Sequence, residues 1–297
     1  MRLPFIFINF APLMNKTRVI AITIILLSFG VFTGCQYDKI LKSDDFELKY
    51  VKAKEYYNKG DYARALPLLD QLLTVKIGSA DEKQIRYYMA YCYYGQGDFF
   101  SAATLFKQVF ITFPLSGEAE ETLFMSARAM YDASPRYQLD QTYSYKSIEA
   151  FQYFIDVYPK SSLSGQANAY MDTLRAKLEE KLIYSADLYY DTENYQAAAI
   201  TFNNVLLQFP DTKDAEDISF KIVSSYFNYA GLSVLCRKEE RYDKAIESYQ
   251  DFIARYPESK KADQAKSLYE RSVDLKEKAL TEIKTYKIDC NEFTKED

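Results

Sequence analysis

An eighteen-residue stretch, Gly97 to Pro114, sets the plan of the chain. Its apolar positions are Phe99, Ala102, Phe106, Val109 and Phe113, at offsets 0, 3, 7, 10 and 14. Those offsets keep to one side of a helix with 3.6 residues per turn. Pro114 then follows, and proline cannot continue a helix. The same template returns at Tyr195, Ala198, Phe202, Val205, Phe209 and Pro210. It returns again at Tyr242, Ala245, Tyr249, Phe252, Tyr256 and Pro257. A copy with two small polar replacements runs through Ser144, Ser147, Phe151, Phe154, Tyr158 and Pro159. A weaker first copy, Tyr62, Ala65, Leu69 and Leu72, has no closing proline. Recurrence of one amphipathic helix predicts a repeat protein, in which each unit buries its apolar face against its neighbours.

Composition fits long helices. Only 9 glycines and 8 prolines interrupt 297 residues, so an all-β fold is not expected. The expected fold is all-α, a superhelical solenoid of five helix pairs. The 37 basic residues are outnumbered by 42 acidic ones. A nucleic-acid binder needs a clustered basic face, so no nucleic-acid partner is expected. Histidine is absent. That removes histidine-based triads and makes a zinc site improbable. The chain has no Gly-rich phosphate loop. Acidic pairs such as Glu179-Glu180 and Glu239-Glu240 stand beside lysine or arginine, which suits a solvated helix face better than a shared catalytic pocket. No catalytic residue, no metal and no cofactor is expected, and the chain is read as a non-enzyme.

The N-terminus reads as an export signal. Lys16 and Arg18 precede an apolar run from Val19 to Phe32, which ends in Thr33-Gly34-Cys35. The run is shorter than the roughly 20 residues a membrane-spanning helix needs. Met14 gives a more ordinary signal length than Met1, so the start is expected there. Phe32-Thr33-Gly34-Cys35 resembles a bacterial lipobox. The resemblance implies removal of residues 1–34 and lipidation, palmitate included, of Cys35. Cutting there removes Arg2, Lys16 and Arg18 and no acid, leaving 34 basic residues against 42 acidic ones.

Residues 35–46 read as a lipid-anchored tether. Residues 47–133 are expected to hold the N-terminal repeats, the start of the third repeat and a substrate groove. Residues 134–284 carry the C-terminal repeats and a capping helix, and 285–297 a loose tail. Expected helices cover Tyr50–Asn58, Tyr62–Val75, Ser79–Tyr94, Glu118–Ala133, Thr142–Tyr158, Ser164–Asp191, Lys213–Leu235 and Ala262–Lys284. Ser134 to Gln141 is expected to be the longest internal loop, and Cys236 to Arg241 a charged turn. Cys92, Cys236 and Cys290 are odd in number, so they cannot all pair within the chain. Cys92, among tyrosines, reads as a small buried hydrophobe. Cys236 and Cys290 can meet only if the tail folds back.

A tetratricopeptide unit spans 34 residues and carries alanine, an aromatic four residues on, and a later proline. Ala102 with Phe106, Ala198 with Phe202, and Ala245 with Tyr249 match, each followed by proline. In the preceding helix, Ala53 with Tyr56, Ala90 with Tyr93, and Ala186 with Tyr189 supply the small residue and aromatic of the first half-unit. Successive closing prolines stand 45, 51 and 47 residues apart, so the later units are elongated. With the lipobox, this pattern resembles the BamD (ComL) family of outer-membrane assembly lipoproteins from Cys35 to about Lys284. The resemblance implies a protein held by its lipid on the periplasmic side of the outer membrane. It implies two partners, a BamA-like barrel and unfolded outer-membrane protein precursors. It also implies that the first helix of each unit faces a groove. On that face Tyr50, Lys54 and Tyr57 would line the first unit, and Tyr87, Tyr91 and Tyr94 the second. The competing expectation is that these rings simply pack between helices. An alternative function is a different periplasmic repeat lipoprotein that binds glycan or peptidoglycan-associated partners.

Overall fold

The computed structural model describes residues 36–291. Among them the regular structure is helical. A short helix at 36–41 (α1) precedes α2 (Phe46–Asn58), α3 (Tyr62–Lys76), α4 (Glu82–Gly95), α5 (Phe99–Thr112) and α6 (Ala119–Ala133). Then come α7 (Thr142–Val157), α8 (Ser164–Asp191), α9 (Tyr195–Gln208), α10 (Ala215–Gly231), α11 (Lys238–Arg255) and α12 (Ala262–Tyr286). The chain divides into two compact units. The first takes residues up to Ala133 together with Lys146–Ala167, and the second Ser134–Tyr145 with the remainder from Asn168.

Two kinds of turn recur because the same local chemistry recurs. Within a helix pair, the first helix ends with its chain in the left-handed region: Gly60 has φ +72°, Gly97 φ +80° and Glu193 φ +61°. The next backbone N–H reaches back to the last helical turn, Asp61 to Tyr56, Asp98 to Tyr93 and Asn194 to Tyr189, at 2.8–3.0 Å. Asp61 and Asp98 then cap the following helix by accepting from Arg64 and Ser101 N–H. Between pairs, the aromatic before proline closes the helix. Phe113, Tyr158, Phe209 and Tyr256 donate N–H to the carbonyl four residues back at 2.8–2.9 Å. Proline disfavours helical backbone in the residue before it, so the chain leaves the helix there. The aromatic carbonyl accepts in turn from Ser116, Ser161, Thr212 or Ser259 N–H.

In the first unit, Ile40, Ala53, Leu68, Leu69, Leu72, Ile85, Met89 and Cys92 form one cluster. Ala90, Ala102, Ala103, Phe106 and Ala129 form the next. In the second unit, Ala186, Ala198, Phe202, Val205, Ile218 and Ile222 pack together. Smaller clusters there join Phe227, Ala230, Tyr242 and Ala245, and Val223, Phe252 and Ala265. A buried phenylalanine contributes about 1.5–3 kcal/mol and a helix cap about 1 kcal/mol, so packing of the repeat positions outweighs the turns. Ser147, where the template calls for alanine, is also fully buried, and its hydroxyl donates to the Ala127 carbonyl at 3.0 Å. Of the aromatics paired with small residues, Tyr189 departs from expectation: it is 42% exposed. Ala198 has no exposed surface where α8, α9 and α10 meet. Ala198→Leu should overpack that joint and cost about 1–3 kcal/mol. An unchanged denaturant midpoint would show that the joint has slack.

Four sequence expectations are corrected. The tether is folded at its inner end: in α1, Ile40 is buried, and the Tyr37 hydroxyl donates to the Arg64 carbonyl at 3.2 Å. Tyr37 is an amphipathic side chain seeking both a ring partner and an acceptor, and finds both. The charged turn at Cys236 to Arg241 is largely helix, as a 3₁₀ turn at Leu235–Arg237 runs into α11. Ion pairs Arg237–Glu240 and Glu240–Lys244 at helical spacing, with acids in the first turn, favour that start. The expected helix up to Leu235 stops instead at Gly231. The tail is not loose as far as it is described. Lys287, at φ +51°, ends α12 and turns the chain back, and Cys290 is disulfide-bonded to Cys236 with their Cα atoms 5.4 Å apart.

The loop from Ser134 to Gln141 is fastened within the second unit. Lys177 Nζ donates to Ser134 Oγ at 2.7 Å and Lys181 Nζ to the Leu139 carbonyl at 2.7 Å. Gln141 Nε2 donates to the Arg136 carbonyl at 2.9 Å. Cys92 is buried and free, and burial pushes its thiol up to about 12, which makes it inert.

A tyrosine ladder as the candidate functional site

Helix α4 carries Tyr87, Tyr91 and Tyr94 at spacings that place them on one face. Its other side is committed to the core, with Met89 and Ala90 buried. The half-buried tyrosine face of α4 meets α6, one repeat further along the chain. There Tyr87 Oη donates to Glu121 at 3.1 Å, and Tyr91 Oη donates to the same carboxylate. Tyr94 Oη donates to Asp132 Oδ2 at 2.5 Å, which Arg128 Nε also reaches at 2.9 Å. Lys83 closes the near end of the joint on Glu118 at 2.6 Å.

The rings themselves form a continuous ladder. Tyr87 and Tyr91 have centroids 4.9 Å apart, and Tyr91 meets Phe106 edge-on at 4.9 Å. Tyr94 packs edge-on to Phe99 at 5.4 Å. From α2, Tyr57 joins through Tyr91 at 6.5 Å and through Tyr88 at 4.5 Å. Such edge and tilted pairs contribute about 0.5–1.5 kcal/mol each beyond their burial. The structure therefore brings Tyr57, Tyr87, Tyr91 and Tyr94 together. Tyr50 makes none of these ring contacts and is half-buried against the first core cluster, as Tyr57 and Tyr88 are. Lys54 is exposed on α2.

The hydroxyls are held as protonated donors. Burial, then the Glu121 charge, pushes Tyr87 up to about 12. Burial and the bond to Glu121 push Tyr91 higher still. Tyr57 is raised by burial and by neighbouring tyrosines, and Tyr94 by burial and Asp132. With each proton committed to a carboxylate, Tyr87, Tyr91 and Tyr94 can offer a ligand their ring faces and the oxygen lone pairs, as acceptors for peptide N–H groups. Sequence reasoning missed Tyr88, Glu121 and Asp132. Glu121 carries a weak signal: it stands 34 residues after Tyr87, the length of one repeat. Asp132 carries none, because nothing local marks it as a hydroxyl acceptor.

Among the described residues no helix is long and apolar enough to cross a membrane. Cys35 lies outside them. The family model YfiO, described as outer membrane lipoprotein, matches residues 43–233, and a tetratricopeptide repeat model matches residues 220–259. No curated protein sequence matches the chain significantly. Among solved structures, the chain is similar to the TPR domain of P58(IPK), with 15% identity and a TM-score of 0.39 over 82% of this chain and 68% of that one. It is also similar to a TPR repeats protein from Bacteroides fragilis, with 12% identity and a TM-score of 0.36 over 78% of this chain and 100% of that one.

Proposed function

Because the chain belongs to the YfiO family of outer membrane lipoproteins, BamD-like proteins with tetratricopeptide repeats, we propose that it is a scaffold for outer-membrane β-barrel assembly. In this reading a lipid on Cys35 holds it to the periplasmic side of the outer membrane. Its N-terminal repeats receive unfolded barrel precursors, and its C-terminal repeats hold a BamA-like barrel. Its work is binding rather than catalysis.

The observation that carries the reading is the tyrosine ladder. An unfolded barrel strand alternates apolar and polar side chains along a backbone whose amides are not yet paired. Tyrosine meets both at low entropic cost, through a flat ring and an oxygen beside it. The carboxylates of Glu121 and Asp132 fix the ring orientations in advance, so less order has to be imposed on binding. Lys54, exposed on α2, would meet a chain-terminal carboxylate.

Tyr87→Ala combined with Tyr91→Ala should weaken binding of a barrel-terminal peptide by about 2 kcal/mol or more, the range of a central anchor. Helical content should stay intact, and the variant should still co-purify with the barrel partner. Tyr87→Phe with Tyr91→Phe keeps the rings and should lose less. Fluorescence titration of the peptide against all three proteins reads the difference. Equal affinity for the alanine variant would make these tyrosines packing residues only and remove the groove.

A further inference from the structure

Helix α1 is docked at one edge of the first unit. A flexible tether of a dozen residues would leave that unit free to turn. Here Tyr37 is fixed two residues after Cys35, by its hydroxyl on the Arg64 carbonyl at 3.2 Å and by its ring against Tyr56 at 5.8 Å. Ile40 anchors the same helix from below, with 6% of its surface exposed. Two residues of extended chain reach at most about 7 Å. A lipid carried two residues before Tyr37 would therefore reach the unit at the edge where α2 ends and α3 begins.

That edge contains more than one turn. A side-chain carbon on Gly95 would lie 2.0 Å from the Tyr62 ring, so the end of α4 abuts the start of α3. The turns at 59–61 and 96–98 thus lie side by side, and Lys59, Gly60, Gln96, Gly97 and Asp98 are exposed there. The opposite edge is one helix length away, about 22 Å for a helix of this size. It is gathered by Lys76, which meets Glu47 at 3.2 Å and Asp81 at 3.0 Å. Val75, Ile77, Ile111 and Leu115 are exposed apolar residues at that far edge, while Phe100, 62% exposed, stands beside the turn at 96–98.

We propose that the turns at 59–61 and 96–98 rest against the lipid headgroups, with the Val75 and Leu115 edge facing away from the bilayer. The inference rests on the reading that Cys35 is lipidated. The near edge is polar except for the exposed ring of Phe100, and an aromatic ring suits the headgroup layer. The far edge is apolar and is left open toward the periplasm.

The absence of tryptophan makes the test clean. Single variants Lys59→Trp, Gln96→Trp and Leu115→Trp are made in the full lipoprotein and reconstituted into phosphatidylcholine vesicles. A fraction of the lipid carries a nitroxide on its headgroup. Quenching should be several-fold stronger at positions 59 and 96 than at 115. Adding Tyr37→Ala and Ile40→Ala frees α1 and should shrink that difference while the protein still floats with the vesicles. Protein that floats but is quenched equally at all three positions, or more strongly at 115, overturns the edge assignment and leaves the anchor standing. Protein that does not float overturns the anchor and the assignment with it.

Discussion

Cys35→Ala should move the protein out of the membrane fraction, either soluble in the periplasm or retained with its signal uncut. No described helix is long and apolar enough to span a bilayer, and on the proposed reading acyl chains on Cys35 hold the protein to the membrane. Each buried CH₂ contributes about 0.8 kcal/mol, and stable anchoring takes more than one chain. Removing the cysteine removes the acceptor for all of them, so the effect is near complete. Cell fractionation in a strain depleted of the barrel partner reads it directly. A variant that stays firmly in the membrane under those conditions would place the anchor elsewhere. Export also bears on the cysteine pair of the second unit. The Cys236–Cys290 bond belongs to an oxidising compartment such as the periplasm, which is where a lipoprotein signal delivers its cargo.

Loss of that disulfide should carry the largest stability penalty in the molecule. It spans 54 residues of sequence, from the 3₁₀ turn before α11 to the residues after α12. Closing a loop of that length in the unfolded chain is worth about 4 kcal/mol on the chain-entropy account. Helix α12 is the last helix among the described residues, and its buried residues are the small Ala265, Ser272 and Ala279. Small residues bury little area, so the covalent tie matters more there than it would mid-array. Cys236→Ser with Cys290→Ser, compared with the oxidised protein by thermal or denaturant melting, should lose roughly that amount. Helix α12 should exchange its amides first. Equal midpoints would mean that α12 is held by packing alone. Cys92 does not complicate the comparison, because it is buried in the first unit.

The sequence made the repeat plan legible because its signals are local. Phe-Pro and Tyr-Pro pairs end helices through the backbone of two adjacent residues. Asp61 and Asp98 cap helices through residues three positions away. Ala102, Ala198 and Ala245 are buried, as their offsets demanded. What stayed hidden depends on residues distant in sequence. Three cysteines left the pairing open, and the closure at Cys290 depends on a left-handed residue at Lys287 that no glycine marks. Helix α1 is too short for a period to show, and its place comes from Tyr37 finding Arg64, 27 residues away. The tyrosine face was legible as a stripe on α4, whereas its acceptors on α6 were not, because hydroxyl partners leave no pattern in the helix that carries them. The same stripe reads equally as core or as surface, and the half-burial of these rings shows why both readings fit one spacing.

The contact of Gly95 with Tyr62 constrains the paths by which this sequence can change. A side chain at 95 collides with the ring while the ring is present. A small residue at 62 removes that ring and leaves room for a side chain at 95. The two positions can therefore be exchanged in one order, ring first, through an under-packed intermediate. Relatives that carry a larger residue at 95 should have lost the aromatic at 62, and a random library of this chain should recover substitutions at 95 mainly on a background already changed at 62.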